Sequence, residues 1–143
     1  MTSLSNEKQD PLSVLHDARR HIEAGWCKFR LAETAQGYGR PGNSKDAVAW
    51  CALGALGAAL GIGHPDTSPV GRYCMRALER NVPPGYGDNS FCDRVVAFNN
   101  DSRTSQDDIL GLFDRTIEAQ RGFGFACFRA AAHNAALMVS RDE

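Results

Sequence analysis

Cysteine is the residue type with the most chemistry to offer in this chain. Four of its five cysteines follow an aromatic residue directly: Trp26-Cys27, Trp50-Cys51, Tyr73-Cys74 and Phe91-Cys92. Thiolates gathered from distant segments could bind zinc or an iron–sulfur cluster, but such sites usually supply ligands as close pairs such as C-x₂-C. No such pair occurs, so the cysteines read better as small apolar residues packed beside aromatic ones. No metal and no cofactor is expected.

Cys51 is the best candidate for a reactive thiol. A nucleophilic cysteine needs its thiolate stabilised by a helix N-terminus or by an adjacent base. A helix beginning near Trp50 would put Cys51 in its first turn, where the dipole favours negative charge. A helix capped by Ser44, which the local pattern favours, leaves Cys51 in the second turn of an apolar rod, where burial raises its pKa. His16, His21, His64 and His133 are the available bases, and spacing alone brings none of them to the sulfur. Asp17 and His21 stand one helical turn apart and read as a solvated pair. Asp107, Asp114 and Glu118 form an acidic stripe without a facing carboxylate helix, hence a wet face. Gly57, Gly61 and Gly63 lie in and after a helix rather than between a strand and a helix, so they do not form a dinucleotide-binding fingerprint.

Two Gly-rich loops, 36–43 and 83–89, each carry a tyrosine, Tyr38 and Tyr86. Tyrosine among Gly, Asn and Pro gains contact area at low entropic cost, which suits a ligand-binding surface. With Trp26 and Trp50, they are the candidate ligand-binding residues. If the chain is an enzyme, Cys51, Asn100 and Asp101 are the candidate catalytic residues. The competing role for Asn100 and Asp101 is to organise a helix entry through side-chain-to-backbone bonds.

The elements that must position these residues are mostly helical. Asp10 and Pro11 announce a first helix, a side-chain acceptor followed by a ring preset for the first turn. Leu12, Leu15, Ala18 and Ile22 then share one face, and Gly25 is expected to end the helix through a positive φ. Ser44 is expected to open a central helix through Leu60, apolar on nearly every side and therefore buried. Its internal glycines each cost about 1 kcal/mol relative to Ala, so close approach by a neighbour is expected to offset them. Ser68-Pro69 starts a third helix with Val70, Cys74 and Ala77 on one face and Asn81 near its end. Residues 91–98 suit a short helix or a strand. Thr104 with Asp107 approximates a capping box, ahead of an apolar stripe of Ile109, Leu110, Phe113 and Ile117. A final helix runs through Phe125, Phe128, Ala132, Ala135 and Val139. The expected fold is mainly α: a compact bundle of about five helices around a buried Gly/Ala-rich central helix, with little or no β. Residues 1–9 are expected to form a disordered tail and 10–143 a single domain, with 125–143 as a helical extension.

The segment Trp50-Cys51-Ala52-Leu53-Gly54-Ala55-Leu56, followed by Val96-Ala97-Phe98-Asn99-Asn100-Asp101 and the Thr104-led helix, resembles an uncharacterised family of short bacterial and phage proteins. Members pair a W-C-A-x-G-A-L helix with an aromatic-Asn-Asp turn and a Thr-capped helix. The resemblance covers roughly residues 12–120. It implies the helical fold and a bacterial, phage or mobile-element setting, and it carries no assigned activity.

Bulk properties narrow the function classes. The chain has 143 residues, 43% hydrophobic and 23% charged, with a net charge of −1. One domain of this size buries a sufficient core without staples. The near-neutral charge gives no electrostatic basis for nucleic-acid binding. The N-terminal residues lack the apolar run of an export signal, and the run Ala47–Ile62 is short for a bilayer. A cytoplasmic protein with reduced cysteines and no membrane partner is expected. The leading expectation is a small soluble binding or regulatory domain acting on a protein partner or small ligand, with self-association through the C-terminal helix. The alternative is a thiol-dependent hydrolase or transferase using Cys51.

Overall fold

In the computed structural model, residues 10–87 and 93–124 are described. The expected tail at 1–9, Cys92, and the C-terminal helix with Cys127 and His133 lie outside them. The described chain is mainly α-helical: α1 (Pro11–Ala24), α2 (Ala52–Leu60), α3 (Pro69–Arg80), α4 (Asp93–Asn100) and α5 (Gln106–Ala119). Three two-residue strands, β1 (Ala32–Glu33), β2 (Gly39–Arg40) and β3 (Ala49–Trp50), form an antiparallel sheet in the order β2-β1-β3. This sheet corrects the expectation of little or no β. None of the described helices is long and apolar enough to cross a membrane.

Helix α1 begins as its sequence requires. Asp10 Oδ1 accepts from the Ser13 amide at 3.0 Å, and Val14, Leu15, Ala18 and Ile22 are buried. Gly25 ends it for a reason other than the one expected. Its φ is −177°, ordinary extended backbone. A Cβ there would lie 2.1 Å from the Val48 carbonyl oxygen, so close approach to the strand segment requires glycine.

The central helix is shorter than its apolar pattern predicts. Residues 44–48 turn and extend instead of starting a helix, because Ala49 and Trp50 pair with Glu33 and Ala32 in the sheet. Trp50 also forms a parallel bridge with Trp26. Backbone hydrogen bonds to two other segments outweigh the local helical preference. Helix α2 therefore starts at Ala52 with Cys51, not Ser44, as its N-cap. It is enclosed as expected: Ala52 to Gly57 and Leu60 are all buried. Gly54 meets the Leu31 carbonyl so closely that a Cβ would sit 1.8 Å from its oxygen.

Helix α3 opens at Ser68, whose side chain accepts from the Gly71 amide. It adds Cys74, Met75, Ala77 and Leu78 to the core. Residues 93–100 are helical, and Val95 and Phe98 point inward. The capping box before α5 is one residue later than expected. Ser105 accepts from the Asp108 amide and Asp108 from the Ser105 amide, and the buried Thr104 hydroxyl has no partner among the described residues. Ile109, Leu112, Phe113 and Ile117 close the core.

Candidate functional site

Cys51 sits where two segments converge on the start of α2. Its backbone is extended, with φ −80° and ψ 174°. Its amide donates to the Leu31 carbonyl, and its sulfur accepts from the Gly54 amide at 3.3 Å. The sulfur thus occupies the position at which Ser, Asp or Asn usually caps a helix. Burial pushes the thiol pKa above its ordinary value, while the amides of Gly54, Leu53 and Cys51 itself pull it back down.

The sulfur borders a cavity of about 280 Å³. Its apolar wall comes mainly from Phe29, Leu31, Leu53, Val95 and Val96, and its polar groups from Arg30, Cys51, His64, Asn99 and Asn100. Val96 is 41% exposed. Phe29 is 76% exposed and has φ 71°, the one non-glycine residue in the left-handed region among those described. An aromatic residue in that conformation is strained by about 1–3 kcal/mol, and here it is held by a hydrogen bond from its amide to Asn100 Oδ1 at 2.8 Å.

Asn99 ties the site together. Its Oδ1 accepts from the Trp26 indole at 2.9 Å and from the Ala52 amide at 3.1 Å. Its Nδ2 donates to the Cys27 carbonyl and to Asn100 Oδ1. One side chain, 2% exposed, therefore joins α4 to the first amide of α2 and to segment 26–29. Asn100 Oδ1 is used twice, by Phe29 and Asn99, and its Nδ2 makes no hydrogen bond among the described residues.

His64 follows α2 and caps the short 3₁₀ turn Pro65–Thr67, its Nδ1 accepting from the Asp66 amide. That Nδ1 also lies 3.0 Å from Asp66 Oδ1. The other ring nitrogen has no partner among the described residues.

Of the residues expected to act together, Cys51 and Asn100 line the same cavity. Asp101 does not line it. Its carboxylate pairs with Arg103 at 3.0 Å, and that guanidinium holds the Asp101 pKa down at about 2. None of the four aromatic candidates lines the cavity, although the backbones of Trp26 and Trp50 are paired. The Trp50 indole donates to the Gly42 carbonyl, and the ring meets His21 edge-on at 4.6 Å. Trp26 gives its N–H to Asn99 and carries the Lys28 ammonium over its face at 5.2 Å. Tyr86 packs on Phe98. Tyr38 is 63% exposed in the turn after β1. Phe29 and Val96 border the cavity without having been singled out, and His64 had been named only among four available bases, because each belongs to a different segment and no local spacing links them. The positive φ of Phe29 has no sequence signature.

No curated protein and no solved structure matches the chain. A model of a family of unknown function, DUF6197, matches residues 6–119. The chain belongs to that family.

Proposed function

We propose that the protein binds a small, mainly apolar ligand bearing one hydrogen-bond acceptor, in the cavity between segment 29–31, the start of α2 and α4. The observation that carries this reading is Phe29, an exposed aromatic ring held at positive φ on the edge of an apolar cavity. Strain of this kind persists where surrounding contacts over-determine it, and it clusters at binding sites. The cavity's volume of about 280 Å³ lies just below the range of ligand pockets, which run from roughly 300 to 1,000 Å³ and hold drug-sized molecules, so a smaller ligand suits it. Apolar walls with a few convergent polar groups are the usual composition of such pockets. The Asn100 amide nitrogen, which makes no hydrogen bond among the described residues, is a donor placed to orient a ligand acceptor.

The test is ligand-observed and protein-observed NMR with small cyclic ketones, amides and phenols. Binders are expected to shift the resonances of Phe29, Val95, Val96 and Asn100. Val96→Arg, an exposed substitution that leaves the core alone, is expected to weaken binding at least tenfold. Binding that shifts other residues, or is unchanged in V96R, overturns the reading.

A second reading, covalent thiol catalysis at Cys51, is supported by the choice of residue. Sulfur caps a helix less well than a hydroxyl or carboxylate, so cysteine here gives up stability for its chemistry. Cys51 would be the nucleophile, the amides at the start of α2 the groups that stabilise its charge, and His64 the candidate base. Thiol-selective alkylation that reaches its maximal rate below pH 7 at Cys51 would favour this reading. Reaction that still accelerates past pH 9, as burial of the thiol dictates, would count against it.

A further inference from the structure

Cys27 and Cys51 directly follow the two residues that bridge their segments. The Trp50 amide donates to the Gly25 carbonyl and the Cys27 amide donates to the Trp50 carbonyl, at 3.0 and 3.2 Å. This is the parallel pairing of Trp26 with Trp50. Laterally paired residues of neighbouring strands project from the same face, and the next residues of both strands project from the opposite face. Cys27 and Cys51 are those next residues. Neighbouring strands lie about 4.8 Å apart, and disulfides span Cα separations of roughly 4.4–6.8 Å. Both residues also bond to successive carbonyls of the loop between them. The Cys27 thiol donates to the Arg30 carbonyl at 3.6 Å, while the next carbonyl, that of Leu31, accepts from the Cys51 amide. A negative charge on Cys51 also raises the Cys27 pKa, which burial already pushes up to about 12.

The two thiols are not equivalent. Cys51 borders the cavity, whereas Cys27 is 7% exposed and does not line it. A reagent entering the cavity reaches Cys51 and leaves Cys27 behind it. We propose that Cys51 and Cys27 form a dithiol–disulfide redox site in which a hydroperoxide oxidises Cys51 and Cys27 resolves the product.

In the first step the Cys51 thiolate attacks the peroxide oxygen. An S–O bond forms, the O–O bond breaks, and the alkoxide leaves as an alcohol after taking a proton. Cys51 is then a sulfenic acid. In the second step the Cys27 sulfur attacks the Cys51 sulfur. The S–S bond forms, the S–O bond breaks, and hydroxide leaves with the Cys27 proton as water. Two thiols have supplied two electrons to one peroxide, and two equivalents of a small thiol restore the pair by exchange. Oxidation also removes the Cys51 sulfur from the Gly54 amide, so the start of α2 and the cavity floor change with redox state. This site does not depend on the ligand reading above.

The full chain is oxidised with hydrogen peroxide, alkylated, and digested with trypsin without reduction. The expected product joins peptide 21–28 to peptide 46–72 with the loss of two hydrogens, and small thiols reverse it. In Cys27→Ser the sulfenic acid has no resolving partner, so dimedone labelling of Cys51 should rise at least tenfold over the natural sequence. Linkage of Cys51 to Cys74, Cys92 or Cys127 instead overturns the proposal. So does equal dimedone labelling with and without Cys27, or a Cys51 that peroxide leaves untouched. Circular dichroism checks that C27S folds. If it does not, the peptide linkage in the natural chain decides alone.

Discussion

Asn99 and Asn100 are adjacent in sequence and do different work. Both Oδ1 lone pairs and both Nδ2 hydrogens of the Asn99 amide are engaged in the interior, and its partners belong to three segments. Asn99→Ala would strand the Trp26 indole N–H, the Ala52 amide and the Cys27 carbonyl. Buried polar groups left unpaired cost about 1–3 kcal/mol each, so N99A should lose roughly 3–5 kcal/mol of stability, read as a lower urea midpoint. Asn100→Ala removes one acceptor at a half-exposed position and should cost about 1 kcal/mol. A smaller loss for N99A than for N100A would contradict these roles. An Asn-Asn-Asp run before a helix entry is visible in the sequence, and its turn chemistry is legible there. Which asparagine faces inward is not, because the choice depends on where Trp26 and Ala52 lie.

At the scale of elements, α2 is held by what touches its first turn. The Leu31 carbonyl packs on Gly54 with no room for a methyl group, and the same carbonyl accepts from the Cys51 amide. Gly54→Ala would normally gain about 1 kcal/mol of helix propensity. Here it should destabilise by roughly 2–4 kcal/mol, because the new Cβ meets backbone that cannot rotate away. Thermal denaturation of G54A measures the sign directly, and a raised Tm would show that segment 29–31 is not seated on the helix. The apolar content of 47–60 was readable as a buried element, and the glycines as points of close approach. The position of its start was not. The tract from Ala47 onward suits a helix by propensity, yet Ala49 and Trp50 are drawn into strand pairing by Ala32, Glu33 and Trp26. That shift moves Cys51 from a helix interior to a helix N-terminus, and so changes the chemistry available to it.

At the scale of the whole molecule, the half-buried His21 carries a pH dependence into the range near neutrality. Burial against Trp50 lowers its pKa below 6.5, only partly opposed by Asp17. A base with a lowered folded-state pKa is protonated more readily when the chain is unfolded. Its contribution to stability is therefore complete above about pH 6.5 and is lost as pH falls through the lower folded value. Urea midpoints taken from pH 7.5 to 5 should decline, and His21→Gln should flatten that decline. An unchanged slope in H21Q would place the acid sensitivity elsewhere. The exposed Arg19–Asp114 pair, which joins α1 to α5 at 2.6 Å, should contribute under 1 kcal/mol, because both partners remain accessible to water and salt.

The sequence by itself determined the mainly helical class, the faces of α1, α3 and α5, and the burial of the Gly/Ala segment. These depend on periodicity and caps, which act over three or four residues. Tertiary structure alone decided the small sheet, the strained Phe29, and the meeting of Cys51 with Cys27, His64 and Asn100. Those features come from hydrogen bonds and packing between residues 6 to 73 positions apart, beyond the three- or four-residue reach of periodicity and caps.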